Sequence, residues 1–307
     1  MARSATDRPP GPVPGRVVVT GAAGFVGRHL VAALAADGRS VIGIDRRPGS
    51  DVTAELLDED LLARFAGADV VFHLAGRASA RASWGAAFDD YLDDNVRVTQ
   101  RVLEAALVAG VPRVVVASSS SVYGDPAVRP TPEDAVCRPR SPYGASKLMA
   151  EGLAAAYGAQ GLDVAVLRLF TVYGPGQRPD MLLARAIAAA TGGGELLVFG
   201  DGRQTRDFTY VADAVAAIVR AGERGTGGLP VNVAGGAPVA IGDALALVAD
   251  ACGAPLRRVP AAAHQADARH TAADVGRARA LLGHEPRWSL AEGIAAQVRA
   301  ATAARAG

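Results

Sequence analysis

Val17-Val-Val-Thr-Gly21-Ala-Ala-Gly24-Phe-Val-Gly27 decides how this chain is read. A run of β-branched residues passes directly into three glycines at three-residue spacing, and then into an apolar helical pattern. Glycines let a backbone turn sharply and approach a diphosphate closely, and the first turn of the following helix offers N–H donors with a partial positive charge. The spacing is Gly-x-x-Gly-x-x-Gly rather than the tighter dinucleotide fingerprint, so its context carries the weight. The loop follows a first strand at 16–20 and opens a helix expected over 27–36, with Gly38 beyond it. A second strand, 41–45, ends on Asp45, the acid such a site requires. Asp45 is suited to accept hydrogen bonds from the adenosine ribose hydroxyls. Its charge repels a 2′-phosphate, which favours NAD over NADP. Arg46 and Arg47 follow at once and soften that preference.

Outward from this loop the alternation continues. A short helix is expected over 59–66, a strand over 69–74, a long helix over 86–109 ended by Gly110 and Pro112, and a strand over 113–118. A helix beginning near Tyr143 and a strand over 164–170 extend the pattern. Such alternation implies an α/β fold, a Rossmann-type doubly wound parallel sheet covered on both faces. Beyond Tyr173-Gly-Pro-Gly the rhythm loosens. Short strands (196–199, 231–234) mix with helices (212–223, 241–252, 273–282, 290–304), read as a smaller C-terminal α/β region over the mouth of the sheet. The expected organisation is a cofactor domain over 16–170 and a mainly substrate-binding region over 171–307, with interleaved segments. Residues 1–15, polar and proline-rich, are expected to form a disordered tail.

The 307 residues are 50% hydrophobic and 21% charged, with a formal net charge of +1, a balance that argues against an electrostatically driven nucleic-acid binder. No apolar run reaches the length of a membrane span, and residues 1–15 lack the apolar stretch of a secretion signal. Cys137 and Cys252 are isolated, and no metal-ligand spacing is present, which fits a reducing cytoplasm and a site without metal.

Chemistry concentrates in Ser141-Pro-Tyr-Gly-Ala-Ser-Lys147. On a helix, Tyr143 and Lys147 share a face, which sets the ammonium beside the phenol. A nearby cation favours the phenolate and is expected to lower the tyrosine pKa from its free value of roughly 10. The phenolate is then a general base for a sugar or alcohol hydroxyl. Upstream, Ser118-Ser-Ser-Ser-Val-Tyr-Gly124 ends a buried strand, and a serine hydroxyl from it is expected to join the same oxygen. The alternative is that Tyr143 packs a helix start and Lys147 is solvated.

Taken together, these motifs resemble those of the extended short-chain dehydrogenase/reductases of the NAD-dependent nucleotide-sugar epimerase/dehydratase family. The match runs from about residue 16 to 283 and includes the glycine loop, Asp45, His73-Leu-Ala-Gly76, Asn95, the serine run, Tyr143 and Lys147. It continues through Arg168-Leu-Phe-Thr-Val-Tyr-Gly-Pro175 and Arg206-Asp-Phe208. The resemblance implies NAD held by Gly21, Gly24, Phe25, Val26 and Gly27, with Asp45 and Arg46 at the adenosine ribose. It further implies Asp51 and Val52 flanking adenine, and Leu74, Ala75 and Gly76 along the pyrophosphate and ribose. Asn95, Phe170, Tyr143 and Lys147 complete the cofactor set, Lys147 also gripping the nicotinamide ribose. Asn95 is alternatively a buried amide satisfied by backbone, and His73 receives no catalytic role. A homodimer through the helices at 86–109 and from Tyr143 is also implied, unless their apolar faces simply cover the sheet.

The family divides by what accompanies the Tyr–Lys pair. In its 4,6-dehydratases an Asp-Glu pair stands three and two positions before the tyrosine matching Tyr123; in this chain those places are Ser120 and Ser121. Serine is a poor proton donor or acceptor at neutral pH, so elimination lacks its acid. Ser119 remains as the hydroxyl partner of Tyr143. The implied reaction is reversible oxidation at C4 of a nucleotide sugar, with Ser120 and Ser121 on ring hydroxyls or in loop solvation. A net keto-sugar reductase and a non-catalytic dinucleotide sensor are the competing classes.

For the sugar, Thr171-Val-Tyr-Gly-Pro-Gly-Gln-Arg178-Pro-Asp-Met181 is similar to the matching segment of UDP-glucuronate 4-epimerases. Thr171 and Arg178 are the implied carboxylate contacts, because a guanidinium suits a carboxylate. Arg178 alternatively pairs locally, and a neutral UDP-glucose or UDP-N-acetylglucosamine remains the other substrate. Met181 and Phe199 match positions near the nucleoside, and Arg206 the arginine on the diphosphate. The chain departs from the family at His264-Gln-Ala-Asp267, where the usual motif begins with arginine; Arg269 is a candidate replacement.

Overall fold

The structure, a computed structural model, describes residues 15–306, so the tail expected over 1–15 lies, apart from Gly15, outside the described residues. Six strands, β1 (Arg16–Thr20), β2 (Ser40–Asp45), β3 (Val52–Thr53), β4 (Val70–His73), β5 (Arg113–Ser119) and β6 (Asp163–Leu169), join the strand Val231–Val233 in one sheet. All are parallel, in the order Val231–Val233, β6, β5, β4, β1, β2, β3. The order reverses between β1 and β4, and a doubly wound sheet binds its ligand at the carboxyl ends of the strands beside such a switch.

The sheet is parallel because its strands are apolar on both sides. Val17 and Val19 face one apolar layer with Leu30 and Leu34 of helix α1 (Phe25–Ala36) and Val211 and Ile218 of the helix Val211–Arg224. Val18 faces the other layer. That layer holds Leu61 and Phe65 of α2 (Leu61–Phe65), Val102 and Leu103 of α4 (Val98–Val108) and Ala154 of α5 (Pro142–Ala159). Alternate strand residues thus bury into opposite layers, and both carry full helical cover. Val231–Val233 and Val211–Arg224 belong to this unit although they come after residue 170.

Two expected elements differ in detail. The helix expected over 86–109 is a composite: a 3₁₀ turn, Gly85–Ala87, then α3 (Phe88–Tyr91), a π turn, Leu92–Arg97, and α4. The π turn buries Asn95, whose carbonyl accepts from the Thr99 hydroxyl at 2.6 Å. The helix expected over 273–282 begins at Gly276, because the Asp274 carboxylate takes the Gly276 N–H at 2.8 Å and Asp207 takes that of Ala273 at 3.0 Å. Beyond the sheet, three small two-stranded ribbons build the C-terminal region: Val172–Tyr173 with Thr209–Tyr210, Thr205–Asp207 with Pro238–Ala240, and Glu195–Phe199 with Arg257–Ala261. Among the described residues no helix is long and apolar enough to cross a membrane.

Candidate active site

Helix α5 begins where its sequence says it should. The Ser141 side chain caps it by accepting from Gly144 N–H at 3.1 Å, and Pro142 fills the first turn, where a missing N–H costs nothing. Tyr143 and Lys147 therefore stand on one face, above the end of β5. There the Ser119 hydroxyl accepts from Ser121 N–H at 3.1 Å and lies within hydrogen-bonding reach of the Tyr143 phenol. Lys147 donates to the Ala117 carbonyl at 3.0 Å. Ser119, Tyr143 and Lys147 are brought together as the motifs imply, while Ser120 and Ser121 form a short turn beside them.

The expected lowering of the Tyr143 pKa is not what this arrangement gives. Burial pushes the phenol upward, and this outweighs the opposing Ser119 hydrogen bond and the charge of Arg178. Burial likewise pulls Lys147 down to about 8, partly countered by Glu151 one turn further on. Removing both groups from water favours their neutral forms. The neighbouring Tyr123 is a structural tyrosine. Burial raises it to about 12, and its hydroxyl donates to Asn232 at 2.7 Å and accepts from Arg168 at 2.8 Å. Arg168 forks onto Glu151, locking α5 to β6 from behind.

The cleft at the switch point is shaped by backbone. Gly21 has φ +74°, and a Cβ there would lie 2.6 Å from Ala75 N; a Cβ on Gly27 would lie 2.0 Å from the Gly21 carbonyl. α1 starts at Gly24 with no side-chain cap, so the first-turn N–H groups of Phe25, Val26 and Gly27 are left for an external anion. At the tip of β2, buried Asp45 accepts from Ala23 N–H at 3.0 Å and from Arg47 N–H at 2.9 Å, which fixes the carboxylate at the loop's flank. Arg46 turns away to pair with Asp94 and Glu55. Asp51 accepts from Gly43 N–H at 2.7 Å, bringing Val52 into β3. These residues fit a dinucleotide: an uncapped helix start, a carboxylate beside it, and a wall that admits only glycine.

Leu74, Ala75 and Gly76 leave β4 along this wall. Gly76 packs so closely that a Cβ would meet Asn95 at 2.7 Å and the Lys147 ammonium at 3.1 Å. Asn95 is a fully satisfied buried amide, accepting from Arg77 N–H at 2.7 Å and donating to Arg77 O and Ser146 at 3.0 and 2.9 Å. It holds the β4 loop against α5. His73, bridged between Thr20 and Thr99 at 2.7 and 3.0 Å, is pulled down to about 3 by burial and the charge of Lys147, so it stays neutral. The Phe170 ring is buried against Tyr123, at a centroid distance of 6.3 Å, with its N–H on the Val233 carbonyl and its own carbonyl accepting from the Thr209 hydroxyl, both at 2.9 Å.

On the substrate side, Thr171 and Arg178 flank the ribbon strand Val172–Tyr173. Arg178 does pair locally, in a two-bond fork onto Asp180 at 2.9 and 2.6 Å, yet its charge reaches the Tyr143 phenol. Met181 caps the next helix, Leu182–Gly192. Arg206 is half-buried. It donates to the Thr205 carbonyl at 2.8 Å and makes no ion pair among the described residues, and burial draws its pKa down. A desolvated, unpaired guanidinium is a standing demand for an anion. Where the family motif has arginine, the His264 ring accepts from Ala266 N–H at 3.1 Å, and Arg269 is exposed, its N–H on Asp125 at 3.2 Å.

Sequence reading missed three sets of contacts. Arg81, from the loop after β4, lies 3.8 Å over the Phe199 ring and grips Asp267, close enough to Arg206 for their charges to oppose. Tyr91 sets its ring edge-on to Tyr143 at 6.2 Å. Arg28 and His29 of α1 donate to the carbonyls of Gly176 and Pro175 at 3.0 and 2.8 Å. All three arise from loop closure over more than fifty residues, and no short spacing encodes them.

A switch-point cleft fit for a dinucleotide, opening on a Ser–Tyr–Lys constellation with guanidinium groups beyond, defines a short-chain dehydrogenase/reductase of the extended type. The chain belongs to the NAD dependent epimerase/dehydratase family, whose model matches residues 17–234. It is 39% identical over 308 residues to a UDP-glucose 4-epimerase of Mycolicibacterium smegmatis, covering 92% of this chain and 97% of that one. To a UDP-glucuronate 4-epimerase of Thermodesulfobacterium geofontis it is 35% identical over 306 residues, covering 91% and 94%. Among solved structures, MoeE5 in complex with UDP-glucuronic acid and NAD superposes with a TM-score of 0.90 at 42% identity, over 94% of this chain and 100% of that one. The same protein is also solved with UDP-glucose and NAD.

Proposed function

We propose that this chain is an NAD-dependent nucleotide-sugar 4-epimerase whose substrate is UDP-glucuronate. The observation that carries the reading is the pairing of a complete Ser119–Tyr143–Lys147 set with serines, not acids, at 120 and 121. Bound NAD supplies the hydride acceptor and returns the hydride. Gly21, the first turn of α1 and Asp45 hold it. Tyr143 accepts the proton of the sugar C4 hydroxyl while Ser119 steadies that oxygen. Once the 4-keto sugar has turned over, so that its opposite face meets the returning hydride, Tyr143 gives the proton back to the C4 oxygen. Lys147 and Arg178 supply the positive charge that a buried phenol needs before it acts as a base. Arg206, joined by Arg81 once Asp267 releases it, binds the diphosphate, and Phe199 offers its ring to the nucleobase.

A neutral sugar is the second reading, favoured by one observation: the Arg178 guanidinium already has a carboxylate, that of Asp180. Incubation with UDP-glucuronate and UDP-glucose separately, without added reductant, tests both. The expected result is 4-epimerisation of UDP-glucuronate with NAD retained on the protein. A requirement for stoichiometric added NADH, or no interconversion of either sugar, refutes the epimerase reading. The same reading includes a homodimer through α4 and α5, whose outward Val108 and Met149 are exposed; a light-scattering mass of one chain refutes that part.

A further inference from the structure

Arg178 brings its own counter-ion. A guanidinium presents two edges that grip a carboxylate with parallel N–H bonds, one along Nε and Nη2 and one along Nη1 and Nη2. Asp180 takes the first edge, at 2.9 and 2.6 Å, which leaves the second for a ligand. The fork is open to solvent on its outer side, with 36% of the Arg178 and 55% of the Asp180 side chain exposed. On its inner side the Arg178 charge acts on the phenols of Tyr143 and Tyr91, whose rings lie 6.2 Å apart. The groups facing Asp180 are Arg178, the Tyr91 phenol and, one turn into the next helix, Arg185, and the two arginines stabilise its carboxylate.

We propose that Asp180 is a specificity-determining residue, which offsets part of the charge of Arg178 so that the site grips a sugar carboxylate loosely and leaves uncharged sugars able to compete. This rests on the nucleotide-sugar reading of the cleft. A uronate docking on the free edge shares one cation with Asp180, so two carboxylates face each other across a single guanidinium and repel. A hydroxymethyl group in the same place takes its hydrogen bonds and senses no such repulsion. Because the pair is half-exposed, solvent screens the effect to a few-fold. Its sign is nevertheless fixed: an acid next to the arginine lowers preference for acidic sugars, whereas an arginine alone raises it. Thr171, on the near side of the ribbon, carries no charge and leaves this balance unaltered.

The test is the ratio of dissociation constants for UDP-glucose and UDP-glucuronate on the NAD-loaded protein. Asp180→Asn keeps the shape and an acceptor for Arg178 while deleting the charge. Asp180→Ala deletes both. The expected result is a preference for UDP-glucuronate increased about fivefold in the asparagine variant, and shifted in the same direction in the alanine variant. A ratio that rises less than twofold with asparagine, or falls, overturns the proposal and leaves Asp180 as a mere prop for Arg178. Should only the alanine variant fold, the same twofold threshold applies to it. Binding needs no turnover, so a protein that epimerises neither sugar defeats the epimerase reading while the affinity ratio still decides the role of Asp180.

Discussion

The two halves of the cleft are made from different materials. On the cofactor side the shape is set by main chain: a Cβ at Gly27 would stand 2.0 Å from the Gly21 carbonyl, and one at Gly21 2.6 Å from Ala75 N. No side chain can be exchanged there without moving backbone. On the substrate side, Arg81, Arg178 and Arg206 come from three separate segments; Arg81 and Arg178 are held by acids, while Arg206 makes no ion pair among the described residues. Steric exclusion fixes one half for a single ligand, and exchangeable charge makes the other half adjustable. In a family whose members share a cofactor and differ in sugar, this is where variation is tolerated.

The comparison breaks most readily at the chemistry between the halves. Tyr143→Phe is expected to lower kcat at least about a thousandfold while NAD stays bound, since it removes the general base and nothing in the cofactor cleft; steady-state epimerisation and the NAD content of the purified protein report the two separately. Full turnover by this variant would reassign the base. Gly27→Ala tests the cofactor half. Its methyl has no room, so NAD affinity should fall about a hundredfold and stability by about 3 kcal/mol, read by titration and by denaturant unfolding. On the substrate half, Arg206→Ala is expected to weaken UDP binding about thirtyfold, the cost of a lost charge-assisted contact, with NAD affinity unchanged.

Smaller effects sharpen the contrast. Lys147, held near 8 by burial, is charged below that pH and neutral above it, so kcat/KM should fall about tenfold between pH 7 and pH 9 as the ammonium loses its proton. A flat profile through pH 9 would remove the requirement for a cation at Lys147. Arg81→Ala should raise KM about fivefold with kcat unaltered, a modest loss because Asp267 competes for the same guanidinium. An effect on kcat instead would link Arg81 to the reacting centre rather than to the diphosphate.

What the sequence disclosed follows the same division. The glycine loop, Asp45 and the Tyr143–Lys147 pair were readable because each is local: a strand, a turn and a helix face fix them within a few residues. The parallel sheet followed from the alternation of strands and helices along the first half of the chain. The π turn at Leu92–Arg97 was not readable, since it differs from an α-helix only in hydrogen-bond partner. Nor was the direction of the Tyr143 pKa, because proximity to Lys147 is visible in the sequence and the depth of burial is not. Arg81 over Phe199 joins residues 118 positions apart, and only the folded chain brings them together. Asp180 was quoted with its motif, yet its fork with Arg178 depends on side-chain directions in a loop with no regular period.

One small contact has a wider reach. Arg28 and His29, in the first turns of the helix that follows the glycine loop, hold the carbonyls of Gly176 and Pro175, two and three residues short of Arg178. That helix thus ties the glycine loop to the segment proposed to meet the sugar. If the proposed roles hold, the protein stripped of its dinucleotide should bind sugar nucleotides weakly.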